Sequence, residues 1–244
     1  MSGIGREFIE KTKYQYEEDS SQERGEKQPS LQVSYEHLSE IIDLPDIESI
    51  YINDINLRDA IEKRRSLRLY SGDSLTIEEL TYLLWCTQGV KESTSQRTVR
   101  NVPSAGARHC LETYLLINNV ESIRKGLYRY LALENKLAII SLEDNIEDKI
   151  TNACLGQKMV KTGAVTFIWV AISERMTWRY GERGYRYMYL DAGHVCQNLY
   201  LAAENINSGA CAIAAYEDDE LNKILSIDGE EQFVIYLASL GKKK

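Results

Sequence analysis

The sequence predicts an α+β protein in which helices pack around a sheet. Strand-like and helix-like segments alternate along the 244 residues, without an internal repeat or the glycine fingerprint of a dinucleotide-binding βαβ unit. The hydrophobic content of 43% is enough for one enzyme-sized core. We therefore expect an N-terminal arm over residues 1–30 and a single domain over residues 31–244.

The arm is predicted to have little structure of its own. Residues 14–29 are polar and short of large aliphatic side chains, so they can bury little apolar surface. We expect this stretch to lie across a partner subunit. The chain starts with Arg6, Glu7 and Glu10 where a secretory signal would carry a basic start and an apolar run.

Two helices follow the arm. Asn56 is placed to cap a short helix that ends at Arg64. Thr76 and Glu79 have the spacing of a capping box, which predicts the start of a second helix that Gly89 closes. The polar residues 91–101 are predicted to form a loop.

Strands dominate the middle and the end of the chain. Apolar runs rich in β-branched and aromatic residues predict buried strands over residues 112–118, 164–172 and 233–240. Residues 126–133 and 136–140, separated by two turn formers, predict a hairpin.

The longest helix is predicted over residues 187–206. Its inward face would carry Leu190, Val195, Leu199 and Ala203. His194 lies within this helix, and we expect it to be a buried, hydrogen-bonded side chain without a catalytic role.

Composition excludes several classes of protein. The net charge of −8 and the scarcity of basic clusters argue against nucleic-acid binding. The longest apolar run, residues 164–172, is shorter than the roughly 20 residues of a membrane span. The five cysteines are spaced singly, which predicts no zinc site and suits buried thiols in a reducing cytoplasm. We expect a cytoplasmic protein without a metal.

One cationic segment stands out in this acidic chain: KRRSLRLY, residues 63–70. Its candidate binding residues are Arg64, Arg65, Ser66 and Arg68. Guanidinium forks and a hydroxyl suit a doubly charged phosphate and the polar edge of an attached ring. A solvated helix end, favoured by the helix dipole, is the alternative interpretation.

Two further segments carry small residues in series. PSAGAR, residues 103–108, would let the backbone approach a flat ligand, although such a run is also typical of an ordinary turn. GACAIAAYEDDEL, residues 209–221, predicts a short strand that leads into a helix with an acidic first turn. Outward backbone N–H groups are expected there at Ala214 and Ala215.

These segments occur in a fixed order with two longer ones, YRYMYLDAGHVCQNLYLAAENI and GEEQFVIYLASLG. The set resembles the FMN-dependent nitroreductase family over nearly the whole chain. Within that family it is most similar to the SagB-type dehydrogenase branch, which includes azoline oxidases of ribosomal peptide biosynthesis. The resemblance implies a nitroreductase-like fold with a central, mostly antiparallel sheet, in an intertwined homodimer that builds two FMN sites from both chains.

The resemblance also assigns roles to residues. Those implied to hold the FMN phosphate, ribityl chain and polar ring edge are Arg64, Arg65, Ser66 and Arg68. Those implied to reach the flavin from the other subunit are Pro103, Ser104, Ala105 and Gly106. Ala214 and Ala215 match the position whose backbone amide faces flavin N5, and Lys242 or Lys243 would add a cation at the phosphate.

The implied activity is hydride transfer through flavin N5 in a ping-pong cycle, with a small molecule or a peptide as substrate. A Lys-Tyr pair is the suspected acid-base couple of azole-forming members, and Arg179 and Tyr180 stand in its place. A guanidinium stays protonated at neutral pH, so this departure puts azoline oxidation in doubt. His109 could line the pocket, but we assign it no role. A general NAD(P)H nitro- or quinone reductase and a non-catalytic flavin-binding subunit of a peptide-modifying complex remain alternatives.

Overall fold

The computed structural model describes residues 3–35 and 40–244. Its strands are β1 (Ile41–Asp43), β2 (Val90–Ser93), β3 (Thr98–Arg100), β4 (Leu111–Ile117), β5 (Gly126–Leu131), β6 (Lys136–Ser141), β7 (Val165–Ile172), β8 (Ser208–Ile213) and β9 (Gln232–Lys242). Its helices are α1 (Ile4–Lys11), α2 (Leu57–Lys63), α3 (Ile77–Gln88), α4 (Ile146–Ala153), α5 (Met159–Thr162), α6 (Ser173–Tyr180), α7 (Gly184–Asn205) and α8 (Asp218–Leu225).

Seven strands form one sheet in the order β1-β6-β5-β4-β7-β9-β8, and each neighbouring pair is antiparallel. The predicted α+β class, with helices around a mostly antiparallel sheet, is therefore confirmed. β8 lies at one edge of the sheet. The predicted hairpin is the β5–β6 pair.

The sheet carries a hydrophobic core on each face. Phe167 and Trp169 of β7 belong to the core that α3 and α7 cover, whereas Ile168 and Val170 belong to the core shared with α4, α5 and α8. Side chains alternate between the faces of a strand, so a strand buried on both faces needs an unbroken apolar run. This requirement explains why β7 was recognisable in the sequence.

The predicted helix starts are present. Thr76 and Glu79 form the expected capping box at α3, where Thr76 N donates to Glu79 Oε2 at 3.0 Å. Asn56 Oδ1 accepts from Arg58 N at 2.9 Å and caps α2. In both cases a side-chain oxygen satisfies a backbone donor that the first helical turn leaves free.

Residues 91–101 correct the predicted loop, because β2 and β3 pair there as a separate hairpin. Thr98 and Arg100 of β3 are buried. Arg100 Nη1 donates to Gln88 Oε1 on α3 at 2.8 Å, which compensates the burial of this cation. The polar composition of residues 91–101 indicated a loop. Composition alone does not reveal that Gln88 of α3 supplies the hydrogen-bond partner of Arg100.

Two expectations for α7 were wrong. Leu190 was expected to face the core, but it is 59% exposed. His194 was expected to be buried, but it is exposed. The helix does bury Val195, Leu199 and Ala203, so its apolar stripe is narrower than the sequence pattern indicated.

The N-terminal arm contains more contacts than expected. It forms α1 and a short 3-10 helix at Tyr14–Tyr16. Towards the end of the arm, Trp178 Nε1 donates to Glu26 O at 3.0 Å, and Arg175 Nε donates to Ser30 O at 2.8 Å. The arm therefore lies against its own chain through defined hydrogen bonds. Its contact with a partner subunit stays a prediction.

The buried thiols follow the prediction. Four of the five cysteines are buried and Cys86 is partly buried, and burial raises the pKa of each thiol. In the two described stretches of the chain, the helices are all too short or too polar to cross a membrane.

Candidate functional site

The cationic segment lies along the open edge of β8. Leu67 N donates to Ala210 O of β8 at 2.9 Å. A Cβ on Gly209 would lie 2.7 Å from Leu67 Cδ2, so the glycine lets the segment approach the strand closely. The cationic segment (residues 63–70) and the small-residue segment at residues 209–221 are thus neighbours in the fold.

Tyr200 of α7 connects these two segments. Its hydroxyl lies 3.0 Å from Ser66 Oγ and accepts from Ala212 N of β8 at 2.8 Å. The Arg64 guanidinium lies over the Tyr200 ring, with Cζ 5.3 Å from the ring centroid. Such a contact favours one orientation of the guanidinium.

Tyr70 anchors the other end of the cationic segment. It is buried, its hydroxyl lies 3.0 Å from Ser239 Oγ of β9, and burial raises its pKa. Ser71 N donates to Lys242 O at 3.0 Å. The segment is therefore tied to β8 at Leu67 and to β9 at Tyr70.

Arg64, Arg65 and Arg68 have no carboxylate partner among the described residues. Arg65 and Arg68 are exposed, and Arg64 is partly buried. This lack of pairing is notable in a chain of net charge −8. Three free guanidinium groups on one short segment can bind an anion without first breaking an ion pair.

The C-terminal lysines are engaged elsewhere. Lys243 pairs with Glu204 of α7, and Lys242 pairs with Glu79 of α3. Lys242 Nζ also donates to Ile206 O at 2.9 Å. The role of Lys243 at a phosphate stays a prediction, and it would require separation from Glu204.

Ala214 and Ala215 are exposed immediately after β8. Because N–H groups alternate along a strand, we expect the Ala214 N–H on the same open edge as that of Ala212, two residues earlier. Ala215 O accepts from Gln157 Nε2 at 2.8 Å, which holds this turn in place.

The PSAGAR segment forms a tight turn against α7. Ala105 N donates to Asp191 Oδ1 at 3.3 Å, and His109 N donates to Ser104 Oγ at 2.8 Å. Gly106 has φ +55°, a conformation that L side chains rarely adopt. Pro103 and Gly106 are exposed, whereas Ser104 and Ala105 are partly buried.

Gly106 contacts the two residues predicted for proton transfer and substrate binding. A Cβ at this position would lie 2.5 Å from the Tyr180 hydroxyl and 3.0 Å from Arg179 Cδ and Nε. The fold thus brings the third segment together with Arg179 and Tyr180, at the end of α6. The guanidinium of Arg179 lies 5.7 Å from the centroid of the Tyr180 ring.

Buried polar groups surround this turn. Burial raises the pKa of Asp191, and its Oδ2 has no hydrogen-bond partner in the described chain. Burial and the nearby guanidinium groups of Arg100 and Arg108 lower the pKa of His109 to about 3. His109 is therefore neutral at physiological pH, and its backbone N–H is bonded to Ser104 of the turn.

The cationic segment and the PSAGAR turn contact α7 at different positions along its axis. Tyr200 contacts the cationic segment, and Asp191 contacts the PSAGAR turn. Nine residues of helix separate them, a rise of about 13 to 14 Å. One chain therefore does not bring all the predicted site residues together.

Sequence reasoning missed Tyr200 and Asp191. Tyr200 is one of sixteen tyrosines, and its spacing within α7 is that of a core residue. Asp191 offered a weak signal, since a carboxylate lies among the buried positions of an apolar helix. Buried carboxylates generally have a specific partner, which here is the Ala105 N–H.

Comparisons with known proteins agree with this architecture. The family model described as Nitroreductase family matches residues 61–242. The predicted nitroreductase MJ1384 of Methanocaldococcus jannaschii is 35% identical over 202 residues, which are 83% of this chain and 96% of that protein.

One further relative and one structural neighbour are components of peptide-processing systems. The trifolitoxin-processing protein TfxB of Rhizobium leguminosarum bv. trifolii is 28% identical over 140 residues, 56% of this chain and 38% of that protein. The E. coli microcin synthetase McbBCD complex with truncated pro-MccB17 contains a chain that aligns with a TM-score of 0.61 at 23% identity, covering 80% of this chain and 76% of that one. By its sequence and its fold, the chain belongs to the nitroreductase family.

Proposed function

We propose that the chain is an FMN-dependent oxidoreductase of the SagB-type branch that acts as a homodimer. The observation that carries this proposal is that Arg64, Arg65 and Arg68 lie beside the edge strand β8 and form no ion pair with any described residue. The similarity to TfxB supports the branch, and the family match supports an oxidoreductase.

The residues present fit FMN. The donor set combines three guanidinium groups, the Ser66 hydroxyl and the exposed turn at Ala214 and Ala215, which suits a phosphate and the polar edge of a flat ring. The PSAGAR turn offers a backbone surface without large side chains, and a Cβ on Gly106 would fill it. When bound, FMN supplies a position at N5 that accepts and releases hydride, as a ping-pong cycle requires.

The chain's own residues have separate tasks. Arg64, Arg65 and Arg68 would bind the phosphate, and the Tyr200 hydroxyl would hold Ser66 in place for the ribityl chain. The exposed backbone of Ala214 would supply an N–H donor to the bound ring. Pro103 to Gly106 of the other subunit would cover the ring and exclude water from it.

Tyr180 and Arg179 act on the substrate. The Tyr180 hydroxyl, adjacent to Gly106, is positioned to donate a proton, whereas Arg179 binds an anionic group because it stays protonated. This division of roles replaces the Lys-Tyr pair of azole-forming members.

A homodimer would complete the site. Tyr189 and Leu190 on α7 are each 59% exposed, and large exposed apolar side chains on one helix favour an interface. A second copy against α7 would bring its PSAGAR turn toward the cationic segment of the first. The dimer therefore accounts for the separation of the two groups of residues within one chain.

A second candidate function is a cytoplasmic NAD(P)H nitro- or quinone reductase. The 35% identity to the predicted nitroreductase MJ1384 favours it. A flavin-binding subunit without turnover, within a peptide-modifying complex, is the third possibility that the TfxB similarity leaves.

The visible absorption spectrum of the purified chain tests the proposal. We expect flavin bands that persist through desalting, and a mass near that of two chains in solution. Anaerobic addition of NADH and then NADPH separates the candidates, because bleaching supports the nicotinamide reductase and persistence supports a substrate-driven dehydrogenase. A colourless protein that takes up no added FMN would contradict the proposal.

A further inference from the structure

A cavity of about 590 Å³ lies between the N-terminal arm and the end of α6. Residues 11–24 of the arm supply one wall, and Arg179, Tyr180 and Arg183 belong to the other. Its volume lies within the range of small-ligand sites. The arm therefore contributes to a pocket that includes both predicted catalytic residues.

The arm is held in place by specific contacts. Arg183 Nη1 donates to Thr12 O at 2.7 Å, and the Arg183 guanidinium lies over the Tyr14 ring at 4.1 Å from its centroid. At the other end of the cavity, Gln22 N donates to Trp178 O at 2.8 Å. Both ends of the arm wall are thus fixed to the segment that carries Tyr180.

The cavity shares Arg179 and Tyr180 with the site described above. Tyr180 lines the cavity and also contacts Gly106, whose turn is implied to lie against the flavin. A ligand in the cavity would therefore contact Tyr180 from the side of the arm.

The free charges of the cavity are mainly acidic. Three of its cations form ion pairs with carboxylates outside it: Lys11 with Glu7, Lys13 with Glu10 and Arg24 with Glu26. By contrast, Glu17, Glu18, Asp19 and Glu182 line the cavity, and none of these carboxylates is part of an ion pair between described residues.

Two cations, at the end of α6 and just after it, also line the cavity. Arg183 is engaged with Thr12, Tyr14 and Tyr187, so Arg179 is the one that can face a ligand. Several unpaired carboxylates close together attract cations and repel anions. A dinucleotide, with its charged diphosphate, is poorly matched to such a wall.

We propose that this cavity binds a cationic segment of a peptide substrate and orients it toward Tyr180. The inference rests on the proposed function, and it specifies the substrate class of the same site. Glu17, Glu18 and Asp19 recognise lysine or arginine side chains, and Tyr14 and Tyr16 provide aromatic surfaces for the adjoining backbone.

The test uses the full-length chain loaded with FMN and two synthetic peptides, acetyl-Gly-Lys-Gly-Ser-Gly-Lys-Gly-amide and its counterpart with Glu in place of Lys. Isothermal titration calorimetry at about 50 mM salt keeps surface charges only moderately screened. We expect the Lys peptide to bind with a Kd about tenfold lower than that of the Glu peptide.

The decisive variant is Glu17→Gln/Glu18→Gln/Asp19→Asn, which removes three charges but keeps side-chain shape. Its matched control is Glu78→Gln/Asp144→Asn/Glu230→Gln, which changes net charge equally at exposed carboxylates outside the cavity. The cavity variant should lose the preference for the Lys peptide, and the control should retain it. Equal binding of both peptides, or an unchanged preference in the cavity variant, would overturn the proposal.

Flavin absorbance of the same samples distinguishes a failure of the proposed FMN-dependent function from a failure of the proposed peptide site. A protein that stays colourless after FMN is added contradicts the proposed function, and a charge preference that depends on the cavity would then still support the peptide site. A flavin-loaded protein without the preference contradicts the peptide assignment alone.

Discussion

The hydroxyl groups of Ser66 and Tyr200 lie 3.0 Å apart, although 134 positions separate the two residues in the chain. Tyr200 also accepts from Ala212 N at 2.8 Å. One phenol hydroxyl therefore connects the cationic segment, the longest helix and the edge strand.

Tyr200→Phe should weaken FMN binding. The variant keeps the ring beneath Arg64 but leaves Ala212 N without its acceptor and Ser66 without its neighbour. We expect a loss of about 1 to 2 kcal/mol in FMN affinity, the usual scale for one removed hydrogen-bond partner. Quenching of flavin fluorescence measures the Kd. Tyr51→Phe, at a side chain that is 86% exposed, is the control, and an equal Kd in both variants would refute the role of the Tyr200 hydroxyl.

Arg64→Ala should weaken FMN binding more strongly. Losing a charged hydrogen-bond partner of the phosphate costs about 2 to 3 kcal/mol, a Kd increase of roughly 30-fold to 150-fold. The matched control is Arg124→Ala, which removes an exposed guanidinium paired with Glu40 near the opposite edge of the sheet. Unchanged flavin retention in Arg64→Ala would overturn the phosphate assignment.

Gly106→Ala should destabilise the protein and displace Tyr180. Alanine at a left-handed φ costs about 1 to 2 kcal/mol, and the added Cβ would lie 2.5 Å from the Tyr180 hydroxyl. Gly156→Ala is a close control, because Gly156 has φ +70° and open space around it. Urea unfolding should therefore show a larger loss for Gly106→Ala, and equal losses would mean that the Tyr180 contact contributes nothing.

His109 should make the protein sensitive to acid. Its folded pKa of about 3 lies below the ordinary value of 6.5, so the folded state binds fewer protons than the unfolded state. The contribution of the neutral His109 to the free energy of unfolding is fully present above pH 6.5 and is lost as pH falls toward 3. On lowering the pH from about 7 to 4, the Tm of the native protein should fall further than that of His109→Gln.

The exposed His194 provides the control for this pH dependence. His194→Gln should follow the native protein at each pH, because this surface substitution leaves the buried His109 in place. Parallel Tm curves for the native protein and His109→Gln would contradict the buried, neutral assignment of His109.

The sheet was largely predictable and the helices only partly so. β7 was found because burial on both faces leaves a continuous apolar run, and α3 because a capping box is a local signal. The β2–β3 hairpin was missed because Arg100 is satisfied by Gln88, a contact that no local pattern reveals.

Site residues divide in a similar way. Arg64, Ser66 and Gly106 were predicted because their residue types are unusual for their surroundings. Asp191 was missed because its partner is a backbone N–H of Ala105, far away in sequence.

By itself, the sequence determined the α+β class, the order of the family's segments and the residue types at the candidate site. These properties follow from local propensity, from burial patterns and from side-chain chemistry, all of which are readable along the chain. Only the tertiary structure decided that Tyr200 connects Ser66 to β8, that Gly106 contacts Tyr180, and that the arm forms an acidic wall beside it. Contacts between distant residues depend on how the sheet and α7 pack together, so the chain had to be folded before they could be seen.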